Sequence, residues 1–239
     1  MTDRIMLERK NVWPYIIWSI VILNLGGFLV IGGMYAFFYA RAGGYSPQLS
    51  PPSFGQTQFV LSTFIVLVEW SLALILITRY RKAGTSTREL FTPSGSIFRF
   101  RLRPAFLLFL VVNVVFISYI VLLIRSMPDL TYKDLALWQK ILFITLVPLT
   151  AAFTEELIWR GHIISGFELR GRNSMQAVLL SASSFALIHG VFMPDRLLMT
   201  FFFGIVAGYY YMRERNLVPL MFAHWFVDLW GFGIFLILK

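Results

Sequence analysis

Residues 104–124 read PAFLLFLVVNVVFISYIVLLI, a stretch without one charge, bounded by Arg101 and Arg103 on one side and Arg125 on the other. About 20 apolar residues rising 1.5 Å each cross a hydrocarbon layer of roughly 30 Å. That layer offers no water to backbone N–H and C=O groups, so a segment of this kind satisfies them internally as a helix.

Outward from this stretch, the same ruler places further spans near 13–40, 59–78, 140–160, 177–193, 197–212 and 217–238. The expected fold is therefore all-α and polytopic, with about seven transmembrane helices (six to eight) in a single transmembrane domain over residues 1–239. Composition agrees: 58% of residues are hydrophobic, 14% are charged and the mean hydropathy is +0.72, outside the range of soluble domains. Cysteine is absent, which excludes disulfides, thiolate metal ligands and a cysteine nucleophile. The apolar run from Trp13 to Ala40 exceeds a signal-peptide core of about 7–15 residues, so it is read as a retained first span despite the small-x-small triplet Ala40-Arg41-Ala42.

The net charge of +9 sits in short clusters between apolar runs rather than on one basic face, which argues for topology signals and against nucleic acid as a partner. Arg4, Arg9, Lys10, Arg79, Arg81, Lys82, Arg88, Arg99, Arg101, Arg103, Arg160, Arg170, Arg172, Arg213 and Arg215 fall on one side of the expected bilayer. Only Arg41, Arg125, Lys133, Lys140, Arg196 and Lys239 fall on the other. The positive-inside rule then gives a protein integral to the cell membrane, with its N-terminus cytoplasmic and its C-terminus external. The Pro-, Gly- and Ser-rich stretch GGYSPQLSPPSFGQTQ reads as an irregular external loop. Gly204 and Gly208 form a small-xxx-small pair that invites another helix to approach closely.

A charge at the bilayer centre costs about 2.5–3.5 kcal/mol, so ionisable residues inside spans are candidates for function. They concentrate in three segments. TEELIWRG carries Glu155, Glu156 and Arg160; Glu156 and Arg160 share a helix face and can pair, while Glu155 points about 100° away. This assigns Glu156 to structure and leaves Glu155 free to act as a general base. SASSFALIHG places Phe185 one turn from His189 on a helix of small residues, where His189 is the one titratable group. AHWFVD places His224 and Asp228 on one face, where an acid beside an imidazole can orient it, stabilise its charged form or join it in holding a metal. A straight count puts Glu155 near the cytoplasmic end of its span and His189 toward the outer end of the next, a mismatch that shrinks if residues 174–180 lie along the membrane surface. Glu69, in the second span, is read as pairing with another helix, with a proton or substrate role as the alternative.

These three segments resemble, in order and spacing, the signature of the CAAX-processing and bacteriocin-processing (CPBP, or Abi) intramembrane proteases, which include the Ras-converting CAAX endoprotease. The signature EExxxR, FxxxH and HxxxN or HxxxD is met by Glu155-Glu156-Arg160, Phe185-His189 and His224-Asp228, and the resemblance covers roughly residues 145–231. It implies a hydrolase that cuts a peptide bond of a membrane-embedded or lipid-anchored peptide or protein within or beside the bilayer. In that reading Glu155 and His189 activate a water, His224 and Asp228 stabilise the oxyanion, and Glu156, Arg160 and Phe185 support the site.

An ionised Asp228 cannot donate to an oxyanion as an amide would, so it must be protonated, orient His224 or bind metal. Glu155, His189, His224 and Asp228 also make a mixed ligand set for a divalent metal such as zinc. The resemblance favours water activation by Glu and His with no cofactor required. HExxH, GxSxG and GxGD motifs are absent, and GHIISG at Gly161–Gly166 is only a loose echo of a serine-protease motif. A non-proteolytic scaffold or bacteriocin-immunity protein of the same fold is the alternative function. A proton-coupled transporter would call for broken helices and internal repeats, neither of which the sequence displays.

Overall fold

The long apolar runs become helices, and each ends where the sequence turns polar or meets Gly or Pro. The computed structural model describes residues 10–44, 51–86, 89, 91–92, 101–126, 132–190 and 194–234. Among them every long element is helical: α1 (Trp13–Arg41), α2 (Phe54–Lys82), α3 (Leu102–Ser126), α4 (Leu137–Leu169), α5 (Ser174–Gly190), α6 (Pro194–Glu214) and α7 (Val218–Asp228). Arg4, Arg9, Arg88, Arg99 and Lys239, residues 45–50 of the first loop, and the ends of the expected spans at 191–193 and 235–238 lie outside the described residues.

Four helices are long and apolar enough to cross a membrane: α1, α2, α3 over Leu102–Tyr119, and α4. The stretch Ser174–His189 of α5 is apolar but shorter. Leu29, Phe37, Leu67, Leu102, Val114 and Leu137 point outward, fully in reach of the surroundings. A surface of this kind is costly in water and is the ordinary surface of a protein in lipid. The chain is an all-helical membrane protein.

Of the helices that outrun their expected bounds, α2 and α4 do so furthest. α2 begins at Phe54 rather than 59, because Ser53 caps it by accepting the Gln56 N–H at 3.1 Å. The Ser53 hydroxyl also donates to Asp134, which ties the loop before α2 to the loop before α4. α4 does not stop at Arg160 but runs to Leu169, its stretch Glu156–Ile164 wound as a wider π-helix. Arg160 is only 1% exposed inside the bundle, so it does not belong with the loop charges among which the sequence count placed it.

The helices alternate in direction, and one end of the bundle collects the basic loops. There Arg170 Nε donates to the Lys10 carbonyl at 2.6 Å, Arg215 holds Glu168 through two bonds of 2.6 and 2.7 Å, and Arg101 pairs with Glu214. At the opposite end Tyr132, Leu135 and Phe143 pack with Phe54 and Phe59.

The glycine pair on α6 acts as the spacing suggests. A Cβ at Gly204 would lie 2.9 Å from the Ala182 backbone on α5, and one at Gly208 would lie 2.8 Å from Val178. Without side chains there, α5 and α6 lie backbone to backbone. α7 starts below the surface, since Asn216 and Leu217 are fully buried and the Leu217 N–H donates to the Phe91 carbonyl at 3.0 Å.

Candidate active site

The continuation of α4 to Leu169 removes the depth mismatch expected from the sequence. Glu155 lies 14 residues before the end of α4, and His189 lies 15 residues after the start of α5. At about 1.5 Å per residue, both stand some 20 Å from the tight connection that joins the two antiparallel helices. Gly171 takes φ +82° in that connection, a conformation that L side chains rarely adopt. α5 is a continuous helix from Ser174, so residues 174–180 need no separate course along the membrane surface.

The π-helical stretch of α4 carries one side of the site. Widening the helix disturbs its regular ladder of backbone bonds, and the Trp159 carbonyl finds a donor in the Ser181 hydroxyl of α5 at 2.7 Å. α4 and α5 are thereby pinned together beside the acids. Glu156 and Arg160 pair as their spacing suggests, Oε1 to Nη1 at 3.1 Å, with both side chains out of solvent. The Arg160 guanidinium also lies 4.4 Å from the Phe185 ring centre and 5.2 Å from that of Phe203. Those two faces stand where water would otherwise solvate the cation.

His189 sits one turn beyond Phe185. Its Nδ1 lies 2.9 Å from the Phe185 carbonyl, which can only accept, so Nδ1 carries the proton of that bond and Nε2 is turned toward α4. There Nε2 meets Glu155 Oε1 at 3.4 Å. His224 approaches the same carboxyl from α7, its Nε2 3.7 Å from Glu155 Oε2 and 3.5 Å from Asp228 Oδ2. The other nitrogen, Nδ1, lies 2.8 Å from Glu156 Oε1. Three helices thus bring Glu155, His189, His224 and Asp228 together, with Glu156, Arg160 and Phe185 packed behind them. The His189 side chain, 27% exposed, is the most accessible of the group, against 6% for Glu155.

Two features of this geometry differ from the sequence reading. Glu156, assigned to structure alone, reaches the site directly, because it holds His224 as well as Arg160. Asp228 meets His224 at Nε2, whereas Nδ1 is held by Glu156. Sequence reasoning also passed over Phe203, whose ring lies edge-on to His224 at 4.8 Å between centres; nothing in the run FFF marks the third of the three. The remaining histidine, His162, is turned elsewhere, with Nδ1 2.8 Å from the Tyr80 hydroxyl and Nε2 3.3 Å from the Asn11 carbonyl. Ser165 of GHIISG lies 3.3 Å from the Tyr211 hydroxyl, also away from Glu155.

Glu69, mid-way along α2, has a partner on α4 that the sequence did not reveal. The Thr154 hydroxyl donates to its Oε2 at 3.1 Å, and its carboxyl group faces that of Glu155 within electrostatic reach. Trp70 Nε1 donates to Thr150 Oγ1 at 2.9 Å one turn away, so α2 and α4 are joined by two polar ties. Among the described residues, no group of three or more His, Asp or Glu side chains is disposed to hold a metal ion. No step below is routed through a metal.

Comparison with curated proteins and with solved structures returns no match. Residues 137–230 match the family model described as type II CAAX prenyl endopeptidase Rce1-like. The match begins at the first residue of α4, ends just past Asp228 and contains every residue of the three motifs. This Rce1-like domain over residues 137–230 supports assignment of the chain to the CPBP/CAAX protease family.

Proposed function

We propose that this protein is an intramembrane endopeptidase that hydrolyses a peptide bond of a membrane-embedded or lipid-anchored peptide or protein, using water activated by Glu155 and His189. The observation that carries this reading is the position of the Glu155 carboxyl, 3.4 Å from His189 Nε2 and 3.7 Å from His224 Nε2. A base that must act on water needs to be sheltered yet reachable, and His189 is the open side of an otherwise buried cluster.

A water held by Glu155 and His189 gives up a proton to this pair as its oxygen attacks the peptide carbonyl carbon. The carbonyl π electrons move to oxygen and form the oxyanion. His224 donates its Nδ1–H to Glu156, and in the charged ring Nε2–H turns from the carboxyl groups beside it to face that oxyanion. The Glu156 carboxylate, 2.8 Å from Nδ1, serves as counterion of this ring. A protonated Asp228 supplies a second donor. Collapse of the tetrahedral intermediate breaks the C–N bond, and the proton first taken from water passes to the leaving amine. Atoms and charge balance without a cofactor.

The excess of basic residues at the loop end near Lys10, Arg101 and Arg170 supports an N-terminus in the cytoplasm of the cell and a C-terminus outside. The test is cleavage of a lipid-anchored or hydrophobic reporter peptide by the purified protein in detergent or liposomes. Turnover by the wild type and its loss in Glu155→Ala and His189→Ala are expected; equal turnover in these variants would sink the reading.

A further inference from the structure

Glu69 lies outside the matched domain and in none of the three motifs, yet it is 5% exposed and is bonded to Thr154, the neighbour of Glu155. A lone acid there would be costly unless it served its neighbours. Two carboxyl groups side by side in a low-dielectric interior cannot both be ionised without large repulsion, so one of them holds a proton. Glu155 has the imidazoles of His189 and His224 at 3.4 and 3.7 Å, polar partners that favour placing the negative charge on that side. Glu69 faces no imidazole or guanidinium at ion-pair distance among the described residues, and the proton belongs there.

The hydrogen bonds agree. The Thr154 hydroxyl lies 2.8 Å from the Thr150 carbonyl and 3.1 Å from Glu69 Oε2, so it presents its proton to both acceptors. This occupies the acceptor oxygen of a neutral Glu69 and leaves the other oxygen to carry O–H. On the residue next to Thr154, Glu155 Oε2 is a buried acceptor with no hydrogen-bond donor among the described residues. A buried carboxylate oxygen without a donor is expensive, and the neutral acid of Glu69 is the group placed to supply one.

From this geometry we infer that Glu69 is a positioning residue: as the neutral acid, itself held by Thr154, it donates a hydrogen bond to Glu155 and aims the other carboxylate oxygen at His189 and the attacking water. The role rests on the peptidase reading above. Aiming of this kind acts on the chemical step rather than on substrate binding.

The test compares Glu69→Gln, which keeps a donor, with Glu69→Met, which keeps the bulk and loses it. Cleavage of the reporter peptide is measured with the full-length protein in liposomes, beside thermal unfolding in detergent. Glu69→Gln is expected to keep kcat within about threefold of wild type. Glu69→Met is expected to lose about ten- to a hundredfold in kcat with KM nearly unchanged, the usual scale for removing a group that orients an active-site residue. Equal kcat in the two variants, whether both active or both inactive, overturns the role. Should Glu69→Met fail to fold, Thr154→Val decides, since it removes only the hydroxyl that fixes Glu69: a kcat lowered at constant KM supports the role, and an unchanged kcat overturns it. A wild-type protein that cleaves no reporter overturns the peptidase reading and this role together, whereas a cleaving wild type with matching Gln and Met variants overturns the Glu69 role alone.

Discussion

Glu156 Oε1 lies 2.8 Å from His224 Nδ1 and 3.1 Å from Arg160 Nη1, so one buried oxygen joins α7 to the π-helical part of α4. The second acid of the EExxxR motif is therefore at once a counterion and the group that fixes which imidazole nitrogen of His224 faces Glu155. A hydrogen bond to one ring nitrogen sets the tautomer and ring orientation presented by the other.

Arg160→Leu removes the cation and leaves Glu156 with His224 alone. Breaking a buried pair by deleting one partner costs about 3–5 kcal/mol, because the remaining charge keeps its desolvation penalty. Thermal unfolding in detergent is expected to show this loss, together with reduced cleavage. Stability equal to wild type would mean that the Glu156 charge is compensated without Arg160.

Glu155→Gln and His189→Ala are expected to lower kcat by about 10²–10⁴-fold, the range for removal of general acid–base catalysis. Membrane insertion should stay near wild type, since it follows from the apolar spans rather than from these two side chains. Steady-state cleavage kinetics alongside membrane fractionation check both halves of the expectation.

Asp228→Asn and Asp228→Leu separate the ways in which Asp228 can act. An amide donates a hydrogen bond without needing a proton to be taken up, so Asp228→Asn should retain cleavage. Asp228→Leu should lose about 10²–10³-fold in kcat if the residue serves the oxyanion. Loss of activity in both variants would point instead to a need for the carboxylate itself.

Gly204→Leu forces a side chain into the space where a Cβ would already lie 2.9 Å from the Ala182 backbone. Overpacking of this kind costs about 1–3 kcal/mol or more. It also displaces α5, which carries His189, so unfolding temperature and kcat should fall together. A variant that lost neither would remove the close α5–α6 contact from the account of the site.

Cleavage is expected to persist after treatment with a strong chelator. Loss of activity on chelation, restored by zinc or another divalent ion, would show that Glu155, His189, His224 and Asp228 act as ligands and would replace the metal-free mechanism.

The sequence alone determined the solvent of this protein and the partners along each helix. Twenty or so uncharged residues have one stable form in lipid, and i, i+4 spacing follows from the helix itself, which is why Glu156–Arg160 and His224–Asp228 were legible as pairs. Tertiary structure decided what lies across from each face. α4 continues to Leu169 because a wide helical stretch can bury Arg160 against Glu156, Phe185 and Phe203, and hydropathy reads an arginine at that position as the end of a span. The contact of Glu156 with His224, and of Glu69 with Thr154 and Glu155, joins residues 68 or more positions apart. No local period encodes such a distance; it arises only when separate helices pack and each buried charge must find a partner.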